Sequence, residues 1–146
     1  MNIRSSLGAA EAQVAMGFIQ SELTRRGKAG VIAVADDHGE LIGLLRMDGA
    51  PLPSIVIATN KALTAARERK PTRELGQASR DPSTGFDMAY YGDPRFVGWG
   101  GGVPVIVAGN VVGSIAVSGL VEAEDMEVAG MAATELVAAI ERQAGS

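Results

Sequence analysis

The segment from residue 29 to residue 46, AGVIAVADDHGELIGLLR, decides the fold that this sequence predicts. Two apolar runs, Ala29–Asp36 and Leu41–Arg46, flank the tetrapeptide Asp37-His38-Gly39-Glu40. Short runs rich in β-branched and aliphatic residues, joined by turn-forming residues, are typical of a β-hairpin.

A second hairpin is predicted near the end of the chain. There, Val103–Ala108 and Val111–Ser118 flank the dipeptide Gly109-Asn110, which suits a tight turn. Two hairpins indicate an antiparallel sheet, whose apolar face has to be covered by other elements.

Three segments with apolar residues at helical spacing supply that cover. The predicted helices run from Ser5 or Ser6 to about Arg26, from Ser54 to about Arg69, and from about Ala123 to Gln143. Residues 71–102 are rich in glycine and carry five of the six aromatic residues, and they are predicted to form an irregular loop. The order is therefore α-β-β-α-loop-β-β-α, and the predicted class is α+β. We expect a single domain over residues 1–146, with an antiparallel sheet of four to five strands, covering helices, and contact between the first and last helices.

Composition excludes several classes of function. The chain has no cysteine and one histidine, so it contains no disulfide or thiolate site, and a catalytic triad or a multi-histidine metal site is disfavoured. The net charge of −4 argues against a nucleic-acid partner. No apolar run approaches the ~20 residues that cross a bilayer, and the first residues lack the apolar core of a signal peptide. We therefore expect no membrane partner and a cytoplasmic location.

A candidate anion site lies between the first hairpin and the second helix. Arg46 and Asp48 end the predicted strand, and Ser54 begins the helix, whose free amides and positive dipole end favour a carboxylate. Arg46 could bind such a group in a bidentate manner, or it could pair with Asp48 and fix the loop. Lys61 lies two turns further along, outside the main apolar stripe. It could act as a base or bind an acidic ligand, or it could only snorkel or pair with another subunit. Tyr90, Tyr91 or Trp99 is predicted to close this pocket.

Three motifs follow one another along the chain. They are Ala33–Asp36 with His38-Gly39 and Arg46-Met47-Asp48-Gly49-Ala50; Ala58, Lys61-Ala62 and Thr64-Ala65-Ala66; and Gly101-Gly102-Val103-Pro104 followed by residues 112–119 and Asp125. Together they resemble the motifs of the GlcG/HbpS-like family, the haem-degrading or haem-binding domain family. The resemblance extends over nearly the whole chain, and it implies a profilin-like α+β fold, oligomeric assembly, and binding of haem or a corrinoid.

Two functions follow as hypotheses. The first is an oligomeric protein that binds haem or a related tetrapyrrole, because flat aromatic and glycine-lined surfaces suit a planar macrocycle. Its expected ligand-binding residues are Arg46, Asp48, Ser54, Lys61, Tyr90, Tyr91, Trp99 and Gly101. His38 is the only imidazole available as an axial ligand, although histidines in turns are commonly idle, and Tyr90 or Tyr91 is the alternative.

The second hypothesis is a metal-independent hydratase, lyase or isomerase that acts on a small carboxylic acid and needs no cofactor. Arg46 and the amino end of the Ser54 helix would bind the carboxylate, and Lys61 or Asp48 would move a proton. An accessory oligomer without a ligand is a third possibility.

A homo-oligomer is expected for three reasons. Ala132 and Ala139 would let a second helix approach the last helix closely. The aromatic residues of the loop are of the type enriched at interfaces. The acidic last helix and the basic segment 67–80 are complementary in charge, which favours closed symmetric assemblies.

Overall fold

The computed structural model describes all residues from 1 to 146 and confirms the predicted α+β order. A short helix and a single 3₁₀ turn lie within the segment predicted as a loop. The elements are α1 Ala9–Arg25, β1 Val31–Asp36, β2 Leu41–Arg46, α2 Ser54–Glu68, α3 Thr72–Ser79, the 3₁₀ turn Met88–Tyr91, β3 Gly102–Val107, β4 Asn110–Ser118 and α4 Glu122–Ala144.

The four strands form one antiparallel sheet in the order β2-β1-β4-β3, which confirms the predicted sheet. The two hairpins meet through their inner strands, β1 and β4, which pair over the full length of β1 from Val31↔Ser118 to Asp36↔Gly113. The two edge strands, β2 and β3, therefore lie at opposite sides of the sheet.

Helices cover both faces of the sheet. Ile32 and Val34 of β1 point into the larger core, which α1 and α4 close. Ala33 and Ala35 point to the other face, against Ala58 and Ala62 of α2. Because this second interface consists mainly of alanines, α2 lies close to the sheet, and the Ser114 hydroxyl of β4 donates a hydrogen bond to the Ala62 carbonyl oxygen at 2.5 Å.

The first and last helices pack against each other, as predicted. Arg26, which follows α1, pairs with Glu124 of α4 at 3.0 Å and with Glu127 at 2.6 Å. Ala132 is fully buried in the core of its own chain. Two of the three arguments for an oligomer are thereby corrected. The acidic groups near the start of α4, Glu122, Glu124, Asp125 and Glu127, have partners in the same chain, and Ala132 packs in the core of its own chain rather than against another subunit.

The aromatic segment folds back onto its own domain. The Tyr91 ring stacks on Phe96 with centroids 4.4 Å apart and lies 6.1 Å from Phe86. Gly76 of α3 lies so close to Gly98 that neither position has room for a Cβ atom. The segment is therefore anchored, and Tyr90 and Trp99 remain exposed.

No helix of the protein has the combination of length and hydropathy that a bilayer crossing requires.

Candidate functional site

A polar cavity of about 340 Å³ lies where four parts of the chain meet. They are the first two turns of α2, the end of β4, the loop before β3 and the first turn of α4. The lining residues are Ser54, Ile57, Lys61, Trp99, Gly100, Ser118, Gly119, Leu120, Glu122 and Asp125.

A buried ion pair forms one wall of the cavity. The Lys61 ammonium donates hydrogen bonds to Asp125 Oδ2 at 3.2 Å and to the Val117 carbonyl oxygen at 3.0 Å. The side chains of Lys61 and Asp125 are 3% and 5% exposed. Asp125 Oδ1 accepts a hydrogen bond from the Leu120 amide at 3.1 Å, which fixes the orientation of the carboxylate. Lys61 therefore neither snorkels nor pairs with another subunit, as the sequence allowed, but has its partner within the chain.

Burial shifts the proton affinities of this pair towards each other. It raises the pKa of Asp125 to about 6, although the Lys61 charge and the Leu120 amide act in the opposite direction. Burial also lowers the pKa of Lys61, against the attraction of Asp125. A proton is consequently easier to move between these two groups than between an exposed lysine and an exposed aspartate.

Two hydroxyl groups in the cavity have no partner in the protein. Ser54 begins α2 and Ser118 ends β4, and each residue is 4% exposed. Neither side chain forms a hydrogen bond with another protein group, and both residues line the cavity. No fully buried side-chain oxygen of the protein lacks a partner, so both hydroxyls reach the cavity, where they are available to water or to a ligand.

Glycine residues form another part of the cavity lining. The Gly100 amide donates to Glu122 Oε2 at 2.8 Å, and Glu122 also pairs with Arg73. The next residue, Gly101, has φ +125, and a Cβ atom there would lie 2.8 Å from Lys61 Nζ. The lack of a side chain at Gly101 therefore lets the backbone pack directly against the ammonium group, and Glu122 holds the glycine run in place.

The structure brings only some of the predicted site residues together. Ser54, Lys61 and Trp99 line the cavity, and Gly101 lies directly behind it. Tyr90 is 84% exposed, and Tyr91 packs in the aromatic stack; neither lines the cavity.

Arg46 and Asp48 lie outside the cavity, contrary to the predicted single pocket. They line a separate surface depression together with Lys28, and they do not pair with each other. Val31 of β1 pairs with both Arg46 and Ser118, so one whole strand separates Arg46 from the cavity wall. At the usual strand spacing this places their backbones roughly 10 Å apart.

His38 lies in the β1–β2 turn, away from the cavity, with its side chain 64% exposed. Burial and the nearby Glu68 raise the pKa of Tyr91 to about 12, so its phenol stays protonated and is a poor candidate for a tyrosinate ligand. Neither side chain points to an enclosed haem site.

Sequence reasoning missed Asp125, Ser118 and Glu122 as site residues. Asp125 and Ser118 fall within the third motif, but nothing in the sequence assigns them a place beside Lys61. One signal in the sequence could have pointed to an acidic partner. Lys61 is the only lysine in an alanine-rich helix, and a lysine that is buried there requires a group of opposite charge.

The family is established by comparison with known proteins. Residues 7–134 match the family described as "Haem degrading protein HbpS-like", and the chain belongs to this family. Over 109 residues it is 39% identical to the protein GlcG of Escherichia coli K12, covering 75% of this chain and 77% of GlcG.

Two solved structures share the fold. The Klebsiella pneumoniae protein ORFY superposes with a TM-score of 0.86 at 28% identity, covering 95% of each chain. A structure described as a PduOC:haem complex superposes with a TM-score of 0.82 at 23% identity, covering 88% of this chain and 94% of that one. The description of the family associates it with haem. The superposition on the PduOC structure shows that the two chains share a fold.

The cavity does not fit an enclosed haem. Haem iron is held by histidine, cysteine, methionine or tyrosine side chains, and none of these residue types lines the cavity. A volume of about 340 Å³ lies near the lower end for small-molecule sites, so a tetrapyrrole cannot be enclosed there.

Proposed function

We propose that this protein binds a small ligand with a carboxylate group in the cavity between Lys61, Ser54 and Ser118. The observation that carries the proposal is the pair of serine hydroxyl groups that reach the cavity without a protein partner. Each can donate one hydrogen bond to a carboxylate oxygen, which accepts several.

A free N–H donor of Lys61 supports a carboxylate, although Asp125 already neutralises the Lys61 charge; the other cavity carboxylate, Glu122, is paired with Arg73. The Lys61 ammonium group has three N–H donors, and the protein accepts from two of them. The third is available to a ligand beside the serine hydroxyls. The cavity volume suits an acid of a few carbon atoms.

Proton transfer is a function that this arrangement could add to binding. Asp125, rather than Asp48, is the carboxylate beside Lys61, so the metal-independent enzyme hypothesis now involves Lys61 and Asp125. A ligand held by the two serines would lie next to a pair whose pKa values burial has moved towards each other.

Calorimetric titration with L-lactate tests this proposal, and neutral lactamide is the matched ligand control. Lactate should bind and lactamide should not. Ser118→Ala should weaken lactate binding about tenfold or more, since a hydrogen bond to a charged group contributes roughly 1.5–3 kcal/mol. Ser83→Ala, at an exposed serine of the loop, should bind as the wild type does. Equal affinity of Ser118→Ala and wild type contradicts the proposal.

A tetrapyrrole bound to the outer surface is the second candidate function. Asp37, next to His38, lines a depression of about 560 Å³ with Arg4 and Arg69. Guanidinium groups suit propionates, and His38 is the chain's only imidazole. The haem complex on the same fold supports this candidate, and a corrinoid is the alternative macrocycle.

A homo-oligomer remains part of the proposal, on a changed argument. Leu52, Val56, Trp99 and Val121 are large apolar residues, each more than half exposed. Leu52 and Val56 flank Ser54, Trp99 lines the cavity, and Val121 follows the lining residue Leu120. A second copy of the chain that covered these residues would shield the cavity from water.

A further inference from the structure

Resting on the proposed ligand site, we propose that Lys61 forms an imine with small acids that carry a carbonyl group beside the carboxylate, that is, 2-oxo acids. The inference goes beyond binding, because it assigns a covalent step to a named atom, Lys61 Nζ.

The surroundings of Nζ leave one position open. Its two protein partners, Val117 O and Asp125 Oδ2, accept two hydrogen bonds, and no other protein group bonds to it. Lys61 lines the cavity, so a ligand approaches Nζ from the cavity side. On the side away from the cavity, Nζ is packed against the Gly101 backbone, since a Cβ atom at Gly101 would lie 2.8 Å from Nζ.

The two serines place the carbonyl carbon. If Ser54 and Ser118 hold the carboxylate of a 2-oxo acid, the adjacent carbonyl carbon is one bond away, inside the cavity that Lys61 also lines. Binding thus converts an encounter between two molecules into a reaction within one complex.

Asp125 supplies the proton transfers that an imine requires. Lys61 first gives one proton to Asp125 and becomes a neutral amine, and rotation about Cε–Nζ turns its lone pair to the cavity. The nitrogen attacks the carbonyl carbon, and one of its two protons moves to the carbonyl oxygen. Asp125 then gives its proton to the resulting hydroxyl group, which leaves as water, and the C=N bond forms with one proton on nitrogen. The positive iminium now lies beside the Asp125 carboxylate, so atoms and charge balance.

Burial favours the reactive form of Lys61. An exposed lysine is almost entirely protonated at neutral pH, and each unit by which its pKa falls raises the neutral fraction about tenfold. Burial lowers the pKa of Lys61, whereas Lys28 and Lys70 are well exposed. With only three lysines in the chain, the other two serve as internal controls.

Reductive trapping tests the inference. The whole protein is incubated with pyruvate and sodium cyanoborohydride, and its Glu-C peptides are analysed by mass spectrometry. The reduced adduct should accumulate on Lys61 at least about tenfold faster than on Lys28 or Lys70, because the bound acid is held beside this amine. L-lactate has a hydroxyl group where pyruvate has its ketone, so it cannot form an imine. It should compete for the site and slow the labelling of Lys61. Asp125→Asn keeps the shape of the side chain but cannot protonate the hydroxyl group that leaves as water. It should slow labelling of Lys61 about a hundredfold, even though loss of the carboxylate lowers the pKa of Lys61 further.

The outcomes separate this inference from the proposed function. If lactate binds in calorimetry but pyruvate labels all three lysines at similar rates, the imine is overturned and the carboxylate site stands. If lactate does not bind at all and does not protect Lys61, both are overturned. Preferential labelling of Lys61 that lactate suppresses supports both.

Discussion

Lys61 Nζ lies 3.2 Å from Asp125 Oδ2, and this contact joins α2 to α4 in the interior of the protein. A buried ion pair loses the hydration of both charges, so it commonly contributes little to stability compared with apolar residues of the same shape. The ion pair lies on the wall of a polar cavity, beside two serines without a protein partner. A role in a ligand site therefore explains this pair better than a role in stability does.

The pH dependence of stability should reveal the buried carboxyl group of Asp125. Burial raises the pKa of this carboxyl group from its ordinary value of 3.8 to about 6 in the folded protein, so the folded state binds the proton more tightly. Between these values this group makes the free energy of unfolding fall as pH rises, by on the order of 1–3 kcal/mol. Asp125→Asn lacks this contribution. The unfolding free energy of the variant minus that of wild type, measured in urea, should therefore increase from pH 4 to pH 7.

Subtracting the wild-type unfolding free energy from that of the variant cancels the contributions of the other carboxyl groups. Glu22 and Asp93 have pKa values lowered to about 2 by their arginine partners, and both proteins share them. A difference between variant and wild type that stays constant from pH 4 to pH 7 would contradict the raised pKa of Asp125.

The close approach of Gly76 and Gly98 should make Gly76→Ala strongly destabilising. The new Cβ atom would collide with the Gly98 carbonyl group, which cannot move without displacing the loop that carries Trp99 and Gly100. We expect a loss of at least about 3 kcal/mol in the free energy of unfolding, together with weaker lactate binding.

Gly130→Ala is the matched control for that substitution. Gly130 lies within α4, and a Cβ atom there meets nothing within 4 Å. Alanine should stabilise the helix by about 0.5–1 kcal/mol. Equal effects of the two substitutions in urea denaturation would show that the contact between α3 and the loop is not tight.

Local patterns were enough to predict most elements of this fold. The β-branched runs and their turns placed all four strands within one or two residues. Ser54 was predicted as the N-cap of α2, whereas it is the first helical residue and Pro53 holds the cap position. The helix α3 was missed because Gly76 and the surrounding polar residues give it little apolar periodicity. It is held instead by tertiary contacts such as the Gly102 amide hydrogen bond to the Thr72 hydroxyl at 3.1 Å.

The candidate site was harder to predict because it depends on the pairing of distant elements. Lys61 and Asp125 are 64 residues apart in the chain, and they meet because β1 pairs with β4, which brings α2 and α4 to one end of the sheet. Two hairpins do not reveal which of their strands are neighbours. That same pairing inserts β1 between Arg46 and Ser118, and so it separates the predicted anion site from the cavity.

The molecular mass in solution tests the proposed assembly. Light scattering should give a multiple of the 15.0 kDa chain mass. Trp99→Glu should lower it, because a buried charge without a partner costs several kcal/mol. Tyr90→Glu, at an exposed aromatic residue outside the apolar group around the cavity, should leave the mass unchanged. A wild-type mass of one chain would exclude the oligomer.

Haem titration separates the two candidate ligand surfaces. Because no side chain that lines the cavity can hold haem iron, a Soret shift should depend on His38 and not on the cavity. His38→Ala should remove the shift, and saturating L-lactate should leave it unchanged. A Soret shift that lactate abolishes would place the tetrapyrrole in competition with the small acid and contradict two separate surfaces.

The most direct test of the central claim is a map of backbone amide chemical shifts during titration with L-lactate. If the carboxylate site lies in the cavity, the amide signals of Gly100, Gly119 and Leu120, which line it, should shift with lactate concentration. The signals of Arg46 and Asp48 should stay unchanged. Shifts centred on Arg46 and Asp48, with the cavity amides unaffected, would contradict the claim.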